Sequence, residues 1–292
     1  MEKMRDMNSP ILSIIIPVHK DSFKLVRLLS SLYHESNVSE FEVIIVLDNQ
    51  LLDMSSIREQ FPLVTIIPNA RNRGAGGARN TGLDTAKGAY VLFADSDDVL
   101  LSGWLKTISE TVKSGPFDVV YFLPTSFYEG NLASKAARSK RYARLVNNFV
   151  VNENMDIRYY FYVPWSKLIR REFLFANHIR FEEIRASNDL NFSLQVGLKA
   201  KTLNAVKVPI YSVEQSSSSM TRSDTVESLC CRIDALFRFN QTLRQFGLPR
   251  KTLMMGPWLL KLFFRSPLHA IKYLVKGISK RTPVIFDHRF KR

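Results

Sequence analysis

Along the first hundred positions, short unbroken apolar blocks alternate with stretches that turn apolar every third or fourth residue. ILSIII at 11–16 is a β-branched run closed by Pro17, the pattern of a strand buried on both faces. FKLVRLLSSLY at 23–33 follows with helical spacing, and Asp21 and Ser22 stand before it as candidate caps. FEVIIVL (41–47), VTIIP (64–68) and AYVLFA (89–94) repeat the strand signal, and a short helix is expected from Gly77 to Ala86. Strand and helix in this alternation predict an α/β domain with a mostly parallel sheet covered on both faces. Ligands of such sheets bind beyond the carboxyl ends of the strands. That rule sets Pro17–His19, 48–50, 69–77 and 95–98 along one rim.

Farther on the pattern is less regular. A helix is expected at 102–112, a strand at 118–123, a compact apolar-basic unit at 163–174, a helix at 187–200, and two short strands at 201–206 and 208–213. Between 125 and 150 periodic signals are weak. Lys135, Arg138, Lys140, Arg141 and Arg144 there read as a solvated face, with an anionic acceptor as the alternative. QSSSSMTRSD at 215–224 is a polar linker, so a boundary falls there: a main domain over 1–215 and a helical, basic C-terminal region over 216–292. No internal repeat is present.

Charge sharpens that division. Net charge is +14; from Arg222 to Arg292 there are 15 Lys/Arg against 4 Asp/Glu, so the remainder is nearly balanced. Lys261, Arg265, His269, Lys272, Lys276 and Lys280 fall on one helical stripe, and Trp258, Leu259, Leu262, Phe263, Leu268, Ile271, Leu274, Val275 and Ile278 supply an apolar side, with Pro257 and Pro267 dividing the region into two helical pieces. The pattern suits a helix in the headgroup layer of an anionic membrane, or one docked on the main domain with its charges in water. A nucleic-acid-binding protein is a rival on charge alone, but no aromatic-basic recognition signature accompanies it, and no nucleic-acid partner is expected. The start of the chain carries no secretory signal, and no window has eighteen uncharged apolar residues. The two cysteines, Cys230 and Cys231, are adjacent and suggest neither a structural bridge nor a zinc site, in keeping with a reducing cytoplasm.

The candidate chemistry concentrates in residues 72–98, NRGAGGARNTGLDTAKGAYVLFADSDD. A P-loop would need Gly-Lys-Ser/Thr, which is missing; a dinucleotide fingerprint would need glycine where Arg79 stands. What remains is a glycine turn opening a helix that carries Arg79, then a buried strand delivering Asp95, Asp97 and Asp98 to the rim. Three close carboxylates repel unless a cation holds them, and hard oxygen ligands suit Mg²⁺ or Mn²⁺. The competing reading is an acidic turn, with Asp98 at the start of a helix.

LSIIIPVHK, FEVIIVLDN, RNRGAGGARNTGLDTAKGAYVLFADSDD, WSKLIRREFL and NDLNF, in this order over 11–220, resemble the inverting family 2 glycosyltransferases. The resemblance implies a GT-A fold with a nucleotide-sugar half (1–100) and an acceptor half (101–215). It implies transfer of a sugar from a nucleoside diphosphate, a UDP-sugar in most relatives, to a hydroxyl of a glycan or lipid-linked acceptor in bacterial surface polysaccharide synthesis. A cytoplasmic protein, peripheral on the inner face of the plasma membrane, would suit that role. By the same resemblance Asp97 matches the metal ligand, Asp95 the position near ribose and sugar, Asp48 the acid that reads uracil, His19 a residue against the base, and Asp189 the catalytic base. Arg79 is a second cation for the diphosphate. The sequence departs from the family in Leu47-Asp48-Asn49-Gln50, where relatives carry two acids, and in Asn188, where they carry Glu. A neutral Asn188 should leave Asp189 more acidic. These departures keep open a non-catalytic nucleotide-sugar-binding protein of the same fold. Trp165 reads as core, Lys167 as a candidate for the diphosphate or acceptor, and Tyr159, Tyr160 and Tyr162 as core rather than groove.

Overall fold

The computed structural model describes residues 10–20, 23–34, 38–216 and 225–285. The candidate caps Asp21 and Ser22 and most of the polar linker lie outside these residues. The strands are β1 (Leu12–Val18), β2 (Phe41–Leu47), β3 (Val64–Pro68), β4 (Tyr90–Phe93), β5 (Val99–Leu100), β6 (Val119–Tyr128), β7 (Lys167–Arg170) and β8 (Leu203–Gln215). The helices are α1 (Phe23–Tyr33), α2 (Ser55–Gln60), α3 (Ala75–Thr85), α4 (Trp104–Ser114), α5 (Lys140–Asn152), α6 (Asp156–Tyr160), α7 (Arg171–Ala176), α8 (Asn188–Lys199), α9 (Val226–Gln245), α10 (Gly256–Arg265) and α11 (Pro267–Ser279).

All eight strands form one sheet in the order β3-β2-β1-β4-β7-β6-β8-β5. The first four are parallel; β1, β2 and β4 are buried on both faces, as expected for their apolar runs, while the edge strand β3 is only partly buried. β7 then runs antiparallel to both β4 and β6, and it joins the two halves of the sheet. β6 and β8 pair in parallel, and β5 closes the edge antiparallel to β8. The two short strands expected at 201–213 are one strand, β8, whose register against β6 shifts around Leu123. Pro124 and Pro209 both lie in that stretch; a bulge there absorbs residues that cannot donate to the ladder.

The sequence at 125–150 contains more structure than expected: β6 runs to Tyr128, and α5 follows. The signal for α5 was present in Tyr142, Leu145, Val146 and Phe149, spaced three, one and three apart, all of which pack on the main core. That core lies on the sheet under α1, α3, α4 and α5. A second core is built from Leu229, Ile233, Leu236 and Phe239 of α9, Leu262 of α10 and Tyr273 of α11, and it takes in Tyr160 of α6 and Leu194 of α8. Each fully buried aliphatic side chain there contributes about 1.5–3 kcal/mol. The C-terminal region is therefore packed onto α8 through α9, with α10 and α11 outermost, and the two proline-led pieces end and begin around Ser266 as expected. Among the described residues no helix is long and apolar enough to cross a membrane. Both cysteines are unbridged.

Candidate active site

Four strand ends converge on the rim. Pro17, near the end of β1, pairs in register with Val46 beyond the last β1–β4 pair, where a missing N–H breaks no bond to β4. His19 Nδ1 lies 3.1 Å from Asp48 Oδ2. The other Asp48 oxygen accepts from the Gly74 amide at 2.6 Å and from Asn69 Nδ2 at 2.9 Å. Asp48 is thus the post around which the glycine loop folds, and His19 presents its remaining ring edge to solvent. Asn69, which the sequence did not single out, ties the loop down: its Oδ1 accepts from the Arg71 amide and the Thr81 hydroxyl.

The glycine loop is needed for two separate reasons. Gly74 precedes α3 at φ 122°, a conformation other residues rarely adopt. Gly77 lies so close to the turn below that a Cβ would sit 2.0 Å from the Asn72 carbonyl oxygen. One turn along α3, Arg79 is nearly buried. Its Nη2 donates to Asp95 Oδ1 at 2.7 Å and its Nη1 to Asn188 Oδ1 at 3.0 Å, while its guanidinium lies over the Phe181 ring. One side chain thereby ties the acid cluster after β4 to the start of α8.

Asp95, Asp97 and Asp98 each offer an oxygen within 4.8 Å of the others. They are not equivalent. Asp98 is fully buried, accepting from the Tyr211 hydroxyl at 2.8 Å and from the Glu214 amide at 2.8 Å. No helix follows it; β5 does, so the helix-start reading of Asp98 fails, and the residue instead bolts the acid turn to β8. Tyr211 also accepts from the Asp95 amide, and it stacks parallel to the buried Trp165, which is core as expected. The Asp97 carboxylate is held by no side chain among the described residues. Burial first, and the Asp95 charge second, push it above the ordinary aspartate range, against the pull of Arg138. Burial and the same neighbours raise Asp98 further. One carboxylate unengaged by side chains, beside two more of like charge, is a donor set that fits a hard divalent cation.

Behind this cluster stand further cations: Arg27, which the sequence did not mark, and Arg138, which it read as part of a solvated face. Arg27 of α1 donates to the Asp97 carbonyl oxygen and forms an ion pair, at 2.8 Å, with the buried carboxylate of Glu214, whose other oxygen accepts from Lys24. Arg138 donates to the Glu214 carbonyl at 2.7 Å and lies close enough to bias both Asp97 and Asp98. Arg141 covers the Tyr162 ring and donates to its hydroxyl. The reading of this basic run as a solvated face is therefore corrected at Arg138 and Arg141: the turn after β6 folds them inward.

Asp189 sits in the first turn of α8, after Ser187 in the left-handed region at φ 59°. It is half-buried, and enclosure by protein raises its pKa, opposed chiefly by Arg79. Burial thus outweighs the acidifying effect expected from a neutral Asn188. Lys167 does not face the rim. It is fully buried, with Nζ donating to Ser193 Oγ at 2.9 Å between the Tyr121 and Phe161 rings, and burial lowers its pKa to about 7. Its assignment to the diphosphate or acceptor is corrected: β7 aims it inward, onto the Ser193 face of α8 one turn from Asp189. Tyr160 is core, and Tyr159 and Tyr162 pack against the second core, as expected.

An acid turn follows a parallel strand, a glycine loop opens the preceding helix, and Arg79 ties that acid turn to the start of a distant helix that carries a further carboxylate. Residues 13–175 match the family described as "Glycosyl transferase family 2", and the chain belongs to that family. Among curated proteins it is 26% identical over 220 residues to the "Uncharacterized glycosyltransferase EpsJ" of Bacillus subtilis (strain 168), covering 73% of this chain and 63% of that one. It is 28% identical over 200 residues to the "Poly(ribitol-phosphate) beta-glucosyltransferase" of Bacillus spizizenii, covering 66% of this chain and 30% of that one. The chain spans less than two thirds of the length of the first curated relatives it matches. S. aureus TarS 1–349, crystallised in complex with UDP-GlcNAc, superposes with a TM-score of 0.63 at 20% identity over 92% of this chain and 75% of that one. That likeness shows the expected α/β fold.

Proposed function

We propose that the chain is an inverting glycosyltransferase that moves a sugar from a UDP-sugar to a hydroxyl of a glycan or lipid-linked acceptor in surface polysaccharide assembly. The observation that carries the reading is the Arg79 bridge, which holds Asp95 and Asn188 on one guanidinium and so supports a site that draws on both Asp97 and Asp189, the close chain neighbours of those two residues. The solved relative bound to UDP-GlcNAc supports a UDP-sugar donor.

In this reading Pro17, His19 and Asp48 receive the nucleoside, and Asp95 and Arg79 border the ribose and diphosphate. The acceptor hydroxyl oxygen forms its bond to the anomeric carbon as the bond from that carbon to the diphosphate breaks. The electron pair leaves with the diphosphate, and configuration inverts. The hydroxyl proton passes to the Asp189 carboxylate, whose raised pKa suits a base that must hold it. A Mn²⁺ or Mg²⁺ ion held by Asp97, with Asp95 beside it, would supply neutralising charge for the departing diphosphate. Arg138 adds a fixed cation on the same side. The division into a nucleotide-sugar half over 1–100 and an acceptor half over 101–215 follows from these roles.

The test pairs binding with turnover. Thermal shifts against a panel of nucleotide sugars, with and without Mn²⁺, should single out a UDP-sugar whose stabilisation needs the ion. Asp189→Asn should retain that binding and lose transfer and sugar hydrolysis; Asp97→Asn should lose the ion-dependent part of both. Normal turnover by either variant would remove that residue from the mechanism, and binding without any hydrolysis by the wild type would leave a nucleotide-sugar-binding protein.

A further inference from the structure

The sequence offered two seats for the C-terminal helices, on a membrane or on the main domain, and the structure divides each helix between a docked side and an open one. On α11, Ala270, Tyr273 and Gly277 are buried, the side turned toward α9 and Met255. Leu268, Ile271, Val275 and Ile278, spaced three, four and three apart, form a second apolar stripe that is 56–80% exposed. On α10, Leu262 is buried while Phe263 and Phe264 are 49% and 78% exposed. Isolated exposed apolar residues are ordinary; six large ones on two successive helices packed on each other are a surface with a use.

Charge identifies the occupant. From Gly256 to Ile285 there are six Lys or Arg and no Asp or Glu. On α11, Lys272 and Lys276 follow Ile271 and Val275 by one position each, so a basic stripe borders the apolar one. Lys276 is paired with Asp234 of α9, whereas Arg265, Lys272 and Lys280 are exposed. An apolar strip edged on one side by cations and free of acids matches a surface that is apolar a few ångströms down and anionic above. We propose that this face of α10 and α11 lies on an anionic lipid bilayer, Phe263, Phe264, Leu268, Ile271, Val275 and Ile278 entering the headgroup–acyl boundary and the basic stripe meeting lipid phosphates. The docked side on α9 holds the pair in place without any spanning helix.

The test uses the full chain and vesicles of phosphatidylcholine with or without 30 mol % phosphatidylglycerol. Cosedimentation should favour the anionic vesicles at least tenfold at about 0.1 M salt and weaken by a similar factor at about 0.5 M. The triple variant Phe264→Ser, Leu268→Ser, Ile271→Ser should lose binding at least tenfold, and Arg265→Glu with Lys272→Glu should abolish the preference for anionic lipid. Both should keep the wild-type melting temperature and nucleotide-sugar thermal shift, because these side chains touch neither core nor cleft. Equal binding to neutral vesicles, no binding to either, or an unaltered triple variant would overturn the proposal. So would a lipid-free dimer that the triple variant dissolves, which would assign the face to a second copy of the chain. None of these outcomes bears on the catalytic reading.

Discussion

Replacing Lys167 with methionine removes an amine from a fully buried site and leaves a side chain of similar length between the Tyr121 and Phe161 rings. In the folded chain burial lowers the lysine pKa from 10.5 to about 7. Below pH 7 both folded and unfolded chains carry the proton, and the full cost of the buried charge is present. As pH rises from 7 toward 10.5 the folded chain sheds the proton while the unfolded chain keeps it, so the cost fades and stability climbs. Each tenfold fall in proton concentration in that window is worth about 1.4 kcal/mol, so between about pH 6 and pH 9 the wild type should gain roughly 3 kcal/mol on Lys167→Met. Ser193 does not lose its anchor in the variant, since its hydroxyl also donates to the Tyr162 carbonyl at 2.5 Å. Urea unfolding of both proteins at closely spaced pH values measures the difference directly, and other groups that titrate in the window cancel between them. Parallel stability curves, or a gap that widens toward acid in the wild type's favour, would refute the account of Lys167 as a desolvated amine. The same change takes a cation away from Asp189, so in Lys167→Met the acid limb of the activity profile should move to higher pH.

Asp98→Ala should destabilise the chain by about 2–5 kcal/mol, because it strands the Tyr211 hydroxyl and the Glu214 amide in a dry interior; denaturation at neutral pH checks this, and a loss under 1 kcal/mol would mean that water replaces the carboxylate. Gly77→Ala forces a methyl against the Asn72 carbonyl, so the loop must open: donor affinity should fall at least tenfold by titration, and an unchanged affinity would show that the loop does not shape the donor site. Arg138→Ala should lower kcat about tenfold or more with KM for the acceptor little changed, since the lost cation faces the acid cluster, while Arg138→Lys should recover part of it. Acid-limb pKa values for kcat/KM should lie above the ordinary aspartate range, in line with the burial of Asp189; a limb near pH 4 or below would exclude it as the titrating base.

What the sequence determined by itself is whatever contiguous residues encode. The unbroken β-branched runs at 11–16 and 41–47 can satisfy their surroundings only as interior parallel strands. Gly74, Gly77 and the acids at 95–98 declare a tight loop and a charged rim because no other arrangement of those residue types is cheap there. The spacing of Tyr142, Leu145, Val146 and Phe149 also encodes α5, though the weak signals around it hid the helix until the structure showed it. Tertiary structure alone decided which distant groups meet. The order of strands brings β8 alongside β6, so Tyr211 and Glu214 arrive under Asp98 from more than a hundred residues away, and the antiparallel seat of β7 turns Lys167 away from the cleft. Arg79 finding both Asp95 and Asn188, Arg138 folding in beside Asp97, and one apolar stripe of α11 docking while another stays open are likewise products of assembly. Periodicity is a local property, fixed by the backbone's own geometry; the partner of a side chain is a property of topology, and one chain's spacing does not contain it.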